Sequence, residues 1–407
     1  MPGAAAVARR NVRLYYAFIA LMDFGLWFGI WIKYLVVERG LELKYVLLMD
    51  LPFWFAVAAL EAPMGALADR IGHSRVLALG AAVYAATILG FGLTTNYWML
   101  FADYMLWAVA QACRSGADQA VVFDSLKAAG RESEFTAIAG RGFALTMGAG
   151  LGGIILGGVV AALAGMAFTV QVSAVTPLGA MAAALAMREP RVEHVRRGYL
   201  EQLKTGFGFA WSHGAVRATM FLSTGLMMAT FAPVVLVQPF LIVHDVPTGL
   251  FGVFQAPVRV AGIIGALVAW RAARLLGRDR VVGAACAAAV LAYAGLAAWD
   301  ALGAFALFAL PAVVQGLVRP VLDTYVNELT PSDRRATVLS TVSLLFSLQV
   351  GFLEATLGFI TDDVSIRAAF GFTAVFFGML LPPLFFGWRR SARAGAASRP
   401  APAAAAG

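Results

Sequence analysis

The chain has 407 residues, 61% of them hydrophobic and only 13% charged, with a formal net charge of +8. A soluble protein carries about 25% charged residues, so a water-soluble globule is excluded, and the mean hydropathy of +0.79 points to lipid as the solvent. Its two cysteines, Cys113 and Cys286, show no metal-ligand spacing, which leaves no zinc site or disulfide framework to expect.

A helix that crosses a bilayer needs about 20 mostly apolar residues. Twelve such runs fall at 14–36, 45–67, 76–95, 98–122, 142–164, 166–187, 216–242, 250–271, 281–299, 302–326, 338–360 and 368–388. They are continuously apolar and too long for the tilted strands of a barrel, so the fold class is all-α integral membrane. A cytoplasmic segment 1–13 precedes the first run, and a cytoplasmic linker 188–215 divides the rest into six-helix bundles 14–187 and 216–388. The end, 389–407, is Ala, Pro, Gly and Arg with little to bury, and is expected to be a disordered cytoplasmic tail. With the N-terminus inside, Arg and Lys crowd the inner segments, while the outer loops hold only Arg39, Lys44 and Arg367, with Lys33 near the outer end of the first run. This asymmetry places both termini in the cytoplasm. It also accounts for the net charge, and no basic module implies a nucleic-acid partner.

Between the second and third runs lies Gly65-Ala66-Leu67-Ala68-Asp69-Arg70-Ile71-Gly72-His73-Ser74-Arg75. This stretch resembles the signature loop G-x-x-x-D-R-x-G-R-R of the major facilitator superfamily, with His73 and Ser74 standing in the basic pair and Arg75 one place later. The resemblance implies the major facilitator fold, two six-helix bundles related by pseudo-two-fold symmetry that rock around a central site. It further implies a cytoplasmic gate of Gly65, Asp69, Arg70, Gly72, Arg75 and Asp124, in which the acid at the inner end of the fourth helix pairs with the loop arginine.

The two halves also repeat at an offset of 204 to 205 residues. Asp50-Leu51-Pro52 returns as Gln255-Ala256-Pro257, and Gly72-His73-Ser74-Arg75 as Gly277-Arg278-Asp279-Arg280. Gln111, Arg114, Asp118 and Asp124 return as Gln315, Arg319, Asp323 and Glu328. Internal repeats are a recurring plan of secondary transporters, with the site between them near the bilayer midplane.

Ionisable residues within a span are costly and need partners or water, which marks them as candidates for function. Asp23 and Arg259 fall near the middle of their spans, Glu354 somewhat outward and Arg114 somewhat inward. Asp23 is the first choice for proton coupling, with Arg259 as its counter-charge or as a holder of an anionic substrate group, and Glu354 is the second choice. Arg114 with Asp118, and Arg319 with Asp323, stand four residues apart, so each pair is expected to share one helix face. These faces either neutralise themselves or line the cavity. Glu61 is expected to tie the second span to a basic neighbour such as Arg141. On the fifth span, Gly140, Ala149, Gly153, Ile154, Gly157 and Gly158 resemble the glycine pattern of the superfamily's antiporters, without its proline. Tyr15, Tyr16, Trp27, Trp31, Phe53, Trp54, Trp107 and Phe231 line either an apolar cavity or the lipid interface.

These features together imply a secondary transporter of a bacterial cytoplasmic (inner) membrane that moves a small organic molecule by alternating access. Proton-coupled export of a drug-like or amphipathic compound is the preferred mode, and proton-coupled uptake of a metabolite the alternative. A non-transporting membrane sensor on the same scaffold is the alternative of another class. No catalytic residues, metal or cofactor are expected. No nucleotide-binding G-x-x-x-x-G-K-[ST] loop occurs, and the partners are a substrate, protons and the bilayer around a monomer.

Overall fold

The computed structural model describes residues 3–189, 207–331 and 335–397, and every regular element among them is helical. In chain order these are α1 (Ala4–Asp23), α2 (Asp50–Ile71), α3 (His73–Leu93), α4 (Tyr97–Arg114), α5 (Ala117–Lys127), α6 (Phe135–Ala164), α7 (Met166–Val172) and α8 (Val175–Ala186). They continue as α9 (Gly214–Phe231), α10 (Val237–Val243), α11 (Phe251–Leu276), α12 (Arg278–Ala298), α13 (Ala309–Leu329), α14 (Arg335–Asp363) and α15 (Ile366–Ala397). Short α, 3-10 and π turns join them. Most of the linker expected at 188–215 and the last ten residues of the expected tail lie outside the described residues.

Among the described residues, eleven stretches are long and apolar enough to cross a membrane. The expected run that drops out is the fourth, 98–122, because it carries Asp103, Gln111, Arg114 and Asp118 and because it is not one helix. α4 stops at Arg114, Ser115 turns to ψ 106°, and Gly116 takes φ 73° before α5 begins. Glycine adopts that left-handed conformation without the Cβ clash other residues suffer.

The first run, expected to be continuous over 14–36, is broken as well. α1 ends on Asp23, and Gly25 leads into the 3-10 turn Leu26–Gly29 and then into short α and π turns from Trp31 to Glu38. A helix break strands backbone donors and acceptors that must find partners away from water. Here Gln238 of α10 accepts from the N–H groups of Ile32 and Lys33 at 3.0 and 3.2 Å and donates to the Phe28 carbonyl at 3.1 Å. Gln255 of α11 donates to the Gly29 carbonyl at 2.8 Å, and the Trp27 N–H reaches Ser173 Oγ at 3.1 Å. The glycines of α6 are what let the broken segment approach. A Cβ on Gly153 would sit 3.0 Å from the Gly25 backbone, and one on Gly157 would run into the Leu26 carbonyl.

Two helices overrun the lengths expected for them. α1 starts at Ala4 rather than near residue 14, and α15 passes residue 388 to reach Ala397. Both extensions are rich in Ala and Arg, which are strong helix formers. The second is also anchored, since Arg389 Nε donates to Asp279 Oδ2 at the start of α12 (3.1 Å).

The helices gather into two compact units. One holds residues 1–196 together with 235–259 and 350–366; the other holds 197–234, 260–349 and 367–407. Within the first, a buried aromatic cluster forms where Trp107 meets Phe53 at 4.8 Å and Trp27 at 5.5 Å between ring centres. Within the second, small residues bring α11 and α13 together, so that a Cβ on Gly316 would run into the Gly262 carbonyl.

The internal repeat is visible in the backbone. Gly72 and Gly277 adopt φ/ψ of 101/143° and 83/146°, so the two short loops turn alike. The fourth and tenth helices part company, however. α13 runs unbroken through the positions that match the break at Gly116.

Candidate functional site

Asp23 and Arg114 are each the last residue of a broken helix, and the two breaks bring them face to face. Arg114 Nη1 donates to Asp23 Oδ1 at 2.8 Å and Nη2 to Oδ2 at 2.7 Å, while Thr146 of α6 donates its hydroxyl to Oδ2 at 2.8 Å. The side chains of Arg114 and Asp23 retain 23% and 20% exposure, so the pair is shielded yet within reach of water. A carboxylate at a helix C-terminus meets the unfavourable end of the dipole, and the bidentate guanidinium offsets this with two charge-assisted bonds.

Asp118 completes the cluster from the other side of the break. Its Oδ2 lies 3.9 Å from Arg114 Nε, and its Oδ1 accepts from the Gln119 N–H at 2.7 Å in the first turn of α5. Arg114 and Asp118 therefore do not share one continuous helix face, as their spacing suggested; Gly116 turns the chain between them, and Arg114 takes Asp23 as its main partner. Two carboxyl groups around one guanidinium leave one uncompensated negative charge.

The other buried charges are placed as follows. Arg259 is not the partner of Asp23: its guanidinium lies 5.3 Å over the Phe28 ring, and among the described residues it makes no ion pair. Cation–π contact with an aromatic face is one way to hold a desolvated arginine. Glu354 is 2% exposed and accepts from Trp54 Nε1 at 3.0 Å. Glu61 does not reach Arg141; its Oε1 accepts from Ser115 Oγ at 3.2 Å, beside the break in the fourth span.

Arg319 and Asp323 do share a face of α13, with Nε and Oδ2 3.8 Å apart, and Arg319 is largely exposed. It stands on the wall of a cavity of about 110 Å³ within the second unit, which α9 lines with Ser223, Thr230 and Phe231 and α13 with Gln315. Phe346 of α14 closes it, packing 5.4 Å from Phe231 between ring centres. Of the eight aromatics considered from sequence, Phe231 lines this cavity, while Trp27, Phe53 and Trp107 are spent on the core of the first unit.

At the turn between α2 and α3, the loop residues are less connected than the resemblance implied. Gly65, Asp69, Arg70 and Arg75 are exposed, and among the described residues Asp69 and Arg70 make no hydrogen bond or ion pair. Arg75 donates to the Ile71 carbonyl at 3.4 Å, and Asp124 is buried. The first turn of α3 is held by Glu189, just past α8. Its carboxylate accepts from the N–H of His73 (2.8 Å), from the N–H and Oγ of Ser74 (3.1 and 2.8 Å), and meets His73 Nδ1 at 3.1 Å. An anion at a helix N-terminus satisfies stranded donors and meets the positive end of the dipole. Burial works against this carboxylate, but the bonds from His73 and Ser74 hold it down at about 2. Next door, Asn11 clamps the Arg188 backbone, donating to its carbonyl at 2.7 Å and accepting from its N–H at 3.0 Å.

The second half forms an ion pair from the repeat positions themselves. Arg278, the counterpart of His73, pairs with Glu328, the counterpart of Asp124, at 3.0 to 3.1 Å. The sequence offered no role for Glu189 or Thr146, and Arg278 stood out only as a repeat position. Glu189 carried one usable signal, an acid immediately beyond an apolar run. Thr146 carried none, since a hydroxyl in a small-residue helix is common.

The glycines of α6 do structural work here. Gly153 and Gly157 admit the broken segment after α1, Gly158 meets the Thr248 carbonyl, and Ile154 packs against Gly29 and Gly252. A fit to the antiporter pattern is therefore also what this packing alone would produce.

The sequence profile described as the Major Facilitator Superfamily matches residues 14–348. No curated protein matches the sequence. Among solved structures, the nucleoside transporter NupG aligns with a TM-score of 0.73 at 14% identity, covering 95% of this chain and 99% of its own. A bacterial homologue of the human lysosomal transporter Spinster gives 0.73 at 14% identity over 99% and 100%. An auto-inhibited POT family peptide transporter gives 0.69 at 12% over 98% and 99%. At such identities the likeness speaks for the fold, and together with the profile match over most of the chain it identifies this integral membrane protein as a member of the Major Facilitator Superfamily.

Proposed function

We propose that the protein is a proton-coupled secondary transporter that moves a small amphipathic organic molecule by alternating access, with Asp23, Arg114 and Asp118 as the coupling centre. The carrying observation is the unbalanced charge of that cluster at two helix breaks. Discontinuous spans near the midplane are where transporters of this kind hold substrates and coupling ions. When a proton enters, the guanidinium can be released from one carboxyl without leaving a bare anion, so protonation and rearrangement of the broken helices are linked. Arg319, Gln315 and the hydroxyls of Ser223 and Thr230 offer a polar edge to an otherwise apolar cavity, which suits an amphipathic substrate. Asp323 keeps Arg319 in place, and Arg259 steadies the broken first span through Phe28.

We assign cytoplasmic termini on the strength of the arginine bias of the expected inner segments, and export across a bacterial cytoplasmic membrane on the resemblance of the α6 glycines to the pattern of the superfamily's antiporters. The inner gate we assign to Gly65, Asp69, Arg70, Gly72, Arg75 and Asp124, with Glu189 as the fastening residue of the state described. Uptake of a polar metabolite is the second reading, favoured by the exposed Arg319 on the cavity wall. Purified protein in proteoliposomes with an imposed pH gradient tests both. Transport of a thermal-shift hit driven by the gradient, and lost in Asp23→Asn, is the expected result; gradient-independent transport in the wild type would overturn the coupling.

A further inference from the structure

A second acidic site lies away from the Asp23 cluster, where α2 crosses the outer part of α14. The crossing is close: a Cβ on Gly351 would sit 2.9 Å from the Leu51 Cα and 3.3 Å from the Asp50 carbonyl, and one on Gly358 would sit 2.9 Å from the Lys44 Cα. Trp54 stands one turn after Asp50, and Glu354 one turn after Gly351, so both carboxyls belong to the contacting faces. Asp50 is 7% exposed and Glu354 is 2% exposed.

Among the described residues, no cation pairs with either carboxyl. Glu354 accepts from Trp54 Nε1, and Asp50 makes no hydrogen bond or ion pair among the described residues. α4 contributes Tyr104, whose hydroxyl is buried and has no partner, with Tyr97 further out. Lys44, which lies beside Gly358 on the crossing, is committed to Glu42 at 2.6 Å and Asp363 at 2.9 Å, while Asp362 accepts from the Lys44 N–H at 2.7 Å. Asp103, also on α4, turns instead towards Gly90 of α3. Two buried anions without a counter-charge repel each other and lose their hydration, and two carboxyls sharing a site relieve both costs by keeping a proton.

We propose that Asp50 and Glu354 form a proton-binding pair, which holds a proton while α2 and α14 are crossed and yields it to outside water when the crossing opens. This deepens the proton-coupled reading and rests on it only for the use made of the proton. The pair would fasten the outer ends of α2 and α14, as protonation keeps the carboxyls together and deprotonation drives them apart.

The test uses the full chain in lipid nanodiscs without substrate. Infrared difference spectra between acid and alkaline pH report protonated carboxyls, and the expected result is a band in the wild type that Asp50→Asn/Glu354→Gln removes. Spin labels at Tyr45→Cys and Val364→Cys, both exposed, report the crossing; native Cys113 and Cys286 are buried. Raising the pH from about 6 to about 9, the range in which buried carboxyls titrate, should lengthen this distance in the wild type and leave the double variant short throughout. An unchanged infrared band, or an equal pH response in both proteins, would overturn the proposal, as would closure that follows sodium rather than pH. If the double variant does not insert, Asp50→Asn alone, which spares the Trp54–Glu354 bond, must still shift the pH midpoint. Both readouts are independent of transport. A protein that shows them yet carries substrate without a pH gradient would refute the coupling while leaving the pair intact.

Discussion

Arg114 grips Asp23 through two nearly equal hydrogen bonds, 2.8 and 2.7 Å, from the last residue of one broken helix to the last residue of another. Each break would strand polar backbone on its own. Together they set a guanidinium and a carboxylate end to end, with Thr146 as the third contact.

Arg114→Ala should therefore leave Asp23 shielded and uncompensated, at a cost of about 3 kcal/mol for breaking a mostly buried pair. Arg114→Lys keeps the charge but not the two-pronged geometry, and should retain most of the stability while losing most of the pH-driven transport. Thermal unfolding in detergent and proteoliposome flux read the two effects separately. Equal flux in wild type and Arg114→Lys would show that the bidentate contact is not needed for coupling.

Gln238 serves three backbone groups of the broken first span, so Gln238→Leu removes all three partners at similar volume. Buried backbone groups left unpaired cost about 1–3 kcal/mol each, and a fall in melting temperature of several degrees is expected. Hydrogen exchange should rise at Ile32 and Lys33 first.

Glu189 is held at about 2 against an ordinary 4.5. A carboxyl whose folded value is depressed stabilises fully above its unfolded value and loses that contribution as pH falls through the folded one. The stability difference between wild type and Glu189→Gln should thus be constant above about pH 5 and shrink as pH falls from 4.5 towards 2. With the side chain about a third exposed, solvent screening keeps the plateau small, about 1 kcal/mol. A difference that grows on acidification would contradict the assignment.

Gly157→Val should be more damaging than Gly140→Val. The first places a branched side chain against the Leu26 carbonyl, whereas nothing lies within 4 Å of a Cβ on Gly140. Overpacking costs about 1–3 kcal/mol, and expression with size-exclusion profiles would rank the two variants.

Much of this molecule is legible in its composition and spacing. Helical class and the existence of most spans follow from long apolar runs, because lipid offers no partner for an exposed backbone polar group. The repeat across the halves was equally readable, and Gly72 and Gly277 turn alike because only glycine adopts those angles freely. The signature loop named the superfamily to which the chain belongs.

The partners of the charges were decided elsewhere. Spacing put Arg114 on the same face as Asp118, but the spacing rule presumes an unbroken helix, and the Gly116 turn removed that premise. Asp23 lay mid-span with Arg259 as the apparent counter-charge; the break at Gly25 and the approach of α6 gave it Arg114 and Thr146 instead. Glu189 holds the α3 N-terminus because the chain leaving α8 passes there, a proximity of residues more than a hundred positions apart. Local sequence carries periodicity, propensity and hydropathy, whereas the pairing of buried charges depends on which helix ends meet, and only the packed tertiary structure determines that.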